Sequence, residues 1–313
     1  MPVDEALLEA HASYRDERLG ISERFVRLRA GGARTWGVLS LPTGERRSPS
    51  WLICHSFGLE QIDLHMTDVA FARALAAAGH PVLRFHCQGY GDADDVATPP
   101  TPSSHLRDTL EVAEQMPGLC GDQDLALVGS RFGAAVAALA AQRLGASRAV
   151  MAAPVVSGSR YAAELLRARV FSELMGDTPH QAVTMKDMKA AMASEGLVNV
   201  KGWPLHRTVY EELGRFDLLK GLERFTGRAL VLQVSRSPEP QKGLVRLLDR
   251  LREVGARASL ETVTHTAAPN FGYEHFRPVA KDLLGDVTAG INQGLCERVL
   301  GWLGDEDGGQ GAA

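Results

Sequence analysis

Apolar runs of strand length alternate with amphipathic stretches of helix length along most of this chain. That rhythm belongs to β-α-β units on a mostly parallel sheet. FVRLRAGG and ARTWGVLSLP predict two antiparallel strands joined by a glycine turn, around residues 25–42. WLICHS (51–56) predicts a central strand, HMTDVAFARALAAAGH (65–80) a helix and PVLRFH (81–86) the next strand. A loop of turn formers, CQGYGDADDVATPPTPSS, precedes renewed helical periodicity in HLRDTLEVAEQM (105–116). LALVG then runs through a glycine-framed turn into the alanine-rich helix FGAAVAALAAQRLG, and RAVMAAP (148–154) follows as a strand.

The register changes after Pro154. Residues 155–226 hold helical segments and no clean buried strand, until ALVLQV (229–234) resumes the core pattern. KGLVRLLDRLREVGA predicts a helix, ASLETV (258–263) the last strand and 278–303 the closing helix. The expected organisation is a core of residues 1–154 and 227–304, an inserted lid at 155–226 and a flexible polar tail at 305–313. Met185, Met188 and Met192 recur at helical spacing in the insertion, as core packing beneath a lid would require.

Composition narrows the classes. A chain of 313 residues with 45% hydrophobic and 23% charged positions can bury a large α/β core. A formal charge of −4 argues against a nucleic-acid partner. No apolar run reaches the roughly 20 residues that span a bilayer, so no membrane partner is expected. The acidic start lacks a secretory pattern, and four scattered cysteines suit a reduced, cytoplasmic setting. No residue set shows metal-ligand spacing, His86 and Cys87 being merely adjacent, and no metal or cofactor is expected.

The chemistry centres on VGSRFGAA. Its strand–turn–helix has the form of a G-x-S-x-G nucleophile elbow, with Gly129 and Gly133 as the glycines and Arg131 at the centre. Together with HSFG after one strand and RFHCQGYGDAD after the next, it resembles the α/β hydrolase superfamily over most of residues 25–303. The look is closest to exosortase-system-associated hydrolases, and more loosely to the serine-aminopeptidase-like branch. The resemblance implies an α/β-hydrolase fold: a mostly parallel central sheet flanked by helices, with a helical lid inserted.

Arg131 cannot be a nucleophile, because a guanidinium stays protonated and offers donors only. A cation at a helix N-terminus also opposes the helix dipole, so an anion should compensate it. That anion is expected to be Glu60, Asp92, Glu239 or an anionic group of a ligand held bidentately. Ser130, beside the turn's centre, should point elsewhere. The resemblance assigns the two oxyanion N–H donors to Phe57 and Phe132. It places a histidine base after the last strand, at His275 with His265 as the alternative, and its orienting acid in the SRSPEPQ loop, where Glu239 is the one candidate. His55 and Glu60 are expected to line the site as ligand contacts, while Asp92 holds its own turn by local hydrogen bonds.

The reading that follows is an enzyme acting on a small ester, thioester or amide with an anionic group, without a serine nucleophile. An isomerase or epimerase using the oxyanion donors, and a binding protein without turnover, are the alternatives. Exopolysaccharide and natural-product clusters are the biosynthetic settings considered; sequence leaves the oligomeric state open.

Overall fold

The computed structural model describes residues 12–174, 184–264 and 281–307. Nine strands form one sheet in the order β1-β2-β3-β5-β4-β6-β7-β10-β11. They are β1 (Ser13–Asp16), β2 (Ile21–Ala30), β3 (Ala33–Pro42), β4 (Ser50–Cys54), β5 (Val82–Phe85), β6 (Leu125–Ser130), β7 (Arg148–Ala152), β10 (Arg228–Ser235) and β11 (Arg257–Thr264). From β5 through β11 every neighbour pair is parallel, and β1, β2 and β3 add an antiparallel flank. The predicted hairpin is therefore present but longer, and β1 was not anticipated. Its four residues are mostly exposed and carry no buried alternation.

The central strands are apolar throughout because both faces are covered. On one face, α2 (His65–Ala77) and α11 (Lys281–Asp307) pack on Trp51, Ile53, Val82, Val128 and Leu230. On the other, α3 (Pro102–Ala113) and α5 (Phe132–Leu144) bury Leu52, Leu83, Leu127 and Met151. The alanine run of α5 lets that helix lie close against the sheet, and all of Phe132 to Ala141 is buried. Closing helix α11 continues to Asp307, past the expected boundary of the tail.

The chain between β7 and β10 leaves the sheet. It carries α6 (Gly158–Leu174), α7 (Met185–Glu195), α8 (Arg207–Arg215) and α9 (Leu218–Gly221). It also carries a two-stranded hairpin, β8 (Leu197–Val200) with β9 (Trp203–His206), where sequence periodicity indicated helices only. Its turn is Lys201-Gly202, both at positive φ, with the Gly202 N–H donated to Asn199 Oδ1 at 2.7 Å. Short strands in a small sheet give too little alternation to stand out from amphipathic helices on either side. Met188 and Met192 are buried in the core and Met185 packs partly against it. Short α1 (Glu60–Asp63), α4 (Met116–Cys120) and α10 (Lys242–Glu253) complete the described elements.

Candidate functional site

The turn between β6 and α5 forces Arg131 to φ 54°, ψ −119°, a conformation that costs an L residue on the order of 1–3 kcal/mol. Two backbone bonds hold it there: Arg131 N–H to the Ala152 carbonyl at 2.9 Å, and Val155 N–H to the Arg131 carbonyl at 3.1 Å. The glycines are steric necessities. A Cβ on Gly133 would collide with the Cys54 carbonyl and one on Gly129 with the Gly133 carbonyl. The strand and helix can close on each other, and on the end of β4, because both positions lack side chains.

The Arg131 guanidinium is held between two carboxylates. Nε donates to Glu60 Oε1 at 3.0 Å and Nη2 to Glu164 Oε2 at 2.8 Å, while the cation lies 5.7 Å from the Tyr161 ring centre. Glu60 is fully buried. It also accepts from Ser56 Oγ and Tyr161 Oη, each at 2.8 Å. Burial alone would lower the Arg131 pKa, but Glu60, Glu164 and Tyr161 outweigh it and raise the pKa above its ordinary value. Tyr161 and Glu164, three apart on α6, present one face to this group, and Tyr161 stacks on Phe132 with ring centres 5.7 Å apart.

Phe132 N–H, the first amide of α5, donates to Ser56 Oγ at 3.2 Å. One serine therefore satisfies the first amide of α5 and solvates Glu60 at once. Phe57 is fully buried, with its ring against Trp203 of β9 at 5.4 Å and against Phe132 at 5.5 Å. Asp63, on the same short helix as Glu60, is pushed up to about 7 by burial and by the Glu60 charge, against a smaller pull from Lys201.

Several expectations need correction. His55, expected as a ligand contact, is buried among core side chains. It is 4% exposed, its Nδ1 lies 2.8 Å from the Ser56 carbonyl and its Nε2 accepts the Cys87 N–H at 2.9 Å. Those two bonds fix the tautomer, and burial holds the ring neutral, well below its ordinary pKa. Glu60 likewise meets no solvent; it is the counter-ion of Arg131. Glu239 is exposed in the loop after β10, where its carbonyl accepts from the Gln233 amide at 2.9 Å. Gln233 also accepts the Gln241 N–H at 2.7 Å, so an amide organises this loop. Asp92 binds its turn through its N–H, donated to His86 Nδ1 at 3.2 Å, with its own carboxylate 3.6 Å away. Ser130 Oγ is buried and without a hydrogen-bond partner. His265 and His275 lie outside the described residues.

Glu164, Tyr161 and Ser56 were missed by sequence reasoning. Ser56 stood in the HSFG motif beside the predicted donor; Glu164 gave no local signal. A metal would find His55, Cys87 and His105 with ligand atoms within 4.8 Å of one another. Both His55 nitrogens are already engaged in hydrogen bonds that a metal would have to displace. The trio does not suit a metal ion.

Comparison with solved structures now bears on this geometry. The chain resembles Est1E from Butyrivibrio proteoclasticus with ferulic acid bound, at TM-score 0.56 and 17% identity, covering 88% of this chain and 99% of that one. It also resembles DcsB in complex with its substrate analogue (TM-score 0.52, 15% identity, 87% and 99% covered). A third likeness is the Pyrococcus furiosus esterase Pf2001 (TM-score 0.52, 10% identity, 80% and 86% covered). The chain has the α/β-hydrolase fold. These likenesses show the fold and no narrower branch. No family model matches the chain, and no curated protein matches its sequence. Among the described residues, no helix is long and apolar enough to cross a membrane.

Proposed function

We propose that this α/β-hydrolase-fold chain is a lidded receptor for a small carboxylate, without acyl transfer at its elbow. In this reading the turn at Arg131 is a nucleophile elbow whose nucleophile has been replaced, and residues 155–226 are its lid. The observation that carries it is the asymmetric clamp on Arg131. Glu60, with no exposure and three hydrogen-bond donors, is a permanent counter-ion. Glu164 makes one bond from the lid, and its side chain is 37% exposed. A ligand carboxylate could replace Glu164 on Nη2 at small net cost, since exposed pairs contribute about 0–1 kcal/mol.

Ester, thioester or amide hydrolysis through an oxyanion hole is disfavoured. So is enolate chemistry, because both need the Phe132 N–H that Ser56 Oγ occupies. A fluorophosphonate probe should leave the protein unlabelled. Replacing Glu164 with Gln should tighten acetate binding several-fold, up to about fivefold, which corresponds to about 1 kcal/mol of removed competition. Labelling by the probe, or acetate affinity unmoved by E164Q, would defeat the reading.

A further inference from the structure

Arginines gather where the last two strands of the sheet begin, at the end opposite the Arg131 turn. Arg228 opens β10 and Arg257 opens β11, and the two are partners in the parallel register. Their side chains therefore leave the same face of the sheet side by side, with Ser259 and Glu261 following Arg257 on that face. Helix α11 packs there through Val299 and Trp302, and Arg252 reaches the start of β11 from the end of α10. Between these groups lies an open recess of about 460 Å³, within the range of small-ligand sites.

Two of the three guanidinium groups are fixed by uncharged partners. Arg252 donates from Nε and Nη2 to the Ala258 carbonyl, at 3.2 and 3.0 Å. Arg228 lies 4.2 Å from the centre of the Trp302 ring and donates from Nη2 to the Trp302 carbonyl at 3.1 Å. Such contacts orient a cation without cancelling its charge. Arg257 is exposed at the mouth. Two carboxylates also line the recess, and one of them, Glu261, is engaged by Arg298 of α11 at 3.3 Å. Three cations against the remaining carboxylate, Asp305, leave two positive charges in excess. Ser259 adds a second, independent sign. Its Oγ lines the recess, buried and without a hydrogen-bond partner, and a buried hydroxyl costs stability until an acceptor reaches it.

We infer that this recess binds a phosphate group, free or borne on a small polar molecule, through Arg252, Arg257, Arg228 and the Ser259 hydroxyl. A phosphate dianion matches the excess charge, and its tetrahedral oxygens meet several guanidinium groups at once, where a carboxylate offers two oxygens in one plane. The site stands apart from the clamp on Arg131 and does not rest on the function proposed for it.

Inorganic phosphate and glycerol 3-phosphate are the probes, with glycerol as the neutral control. Phosphate salts stabilise folds non-specifically, so the readout is saturable heat in calorimetry at fixed ionic strength. Both phosphates should bind and glycerol should not; the tighter of the two tells whether the group is taken free or as an ester. Arg257→Gln, at an exposed position, should keep the Tm of the parent chain and weaken phosphate binding by about tenfold or more. Ser259→Ala should melt no lower than the parent chain and weaken binding several-fold. No saturable phosphate binding at millimolar concentration, equal binding of glycerol, or an affinity unmoved by R257Q and S259A would each overturn the inference. Phosphate binding that responds to Glu164→Gln but not to R257Q would place the anion at Arg131 and overturn it as well.

Discussion

Ser56 caps Phe132: its Oγ accepts the Phe132 N–H at 3.2 Å while donating to Glu60 at 2.8 Å. A single hydroxyl thus ties the start of α5 to the buried counter-ion of Arg131. Replacing Ser56 with Gly should remove both bonds and add backbone freedom. The expected loss is about 1–3 kcal/mol by urea unfolding. The freed amide still has no nucleophile beside it, so S56G should remain inert to p-nitrophenyl acetate. Turnover by S56G would show that the cap suppresses a working site.

Arg131 and Glu60 should be strongly coupled. Arg131→Met alone leaves Glu60 charged and buried, at a cost of about 3–5 kcal/mol. Combining it with Glu60→Gln removes that stranded charge, so the double variant should be more stable than R131M alone. Chemical denaturation of the four proteins in the cycle gives the coupling, expected on the order of 1–3 kcal/mol. Strict additivity would mean that the two side chains do not interact. Glu164→Gln, by contrast, should change stability by less than about 1 kcal/mol, because that carboxylate is partly solvated.

Acid should destabilise the fold through its buried imidazoles. Burial lowers His105 from 6.5 to about 4, and neither of its ring nitrogens has a hydrogen-bond partner. The nearby Ser56 backbone pulls the other way, against the larger effect of burial. A depressed folded pKa means that the unfolded chain binds more protons in this window. The contribution is therefore full above about 6.5 and lost as pH falls towards about 4. His105→Phe should flatten the decline and leave stability at pH 7 unchanged or higher, since it orphans no partner. A Tm-versus-pH series for both proteins tests this, and an equally steep acid limb in H105F would refute it.

Asp68 should act with the opposite sign. Burial raises its folded pKa from 3.8 to about 8, so the folded chain keeps a proton that the unfolded chain has lost. That contribution is complete below about 3.8 and fades as pH rises through about 8. Asp68→Asn should therefore gain on the parent chain between those limits and hold a constant advantage above them. Melting curves at pH 5, 7 and 9 suffice, and a gap that does not widen with pH would exclude a buried neutral Asp68.

Local pattern alone determined the frame. The alternation of apolar runs with helical stretches, and the spacing of Gly129, Arg131 and Gly133, placed the strained turn and every strand of the large sheet except β1 to within a few residues. These features depend on neighbours along the chain, where period and steric limits operate. The need for an anion near Arg131 was also legible, because a guanidinium cannot lose its charge, and Glu60 stood among the candidates. Which groups answered that need was decided in three dimensions. Glu164 lies 33 positions from Arg131 and arrives only when α6 folds back over the turn. His55 became a core histidine because packing brought Cys87 N–H to its free nitrogen. Charges and hydrogen bonds are satisfied by whatever packing delivers, and no one-dimensional period encodes that delivery.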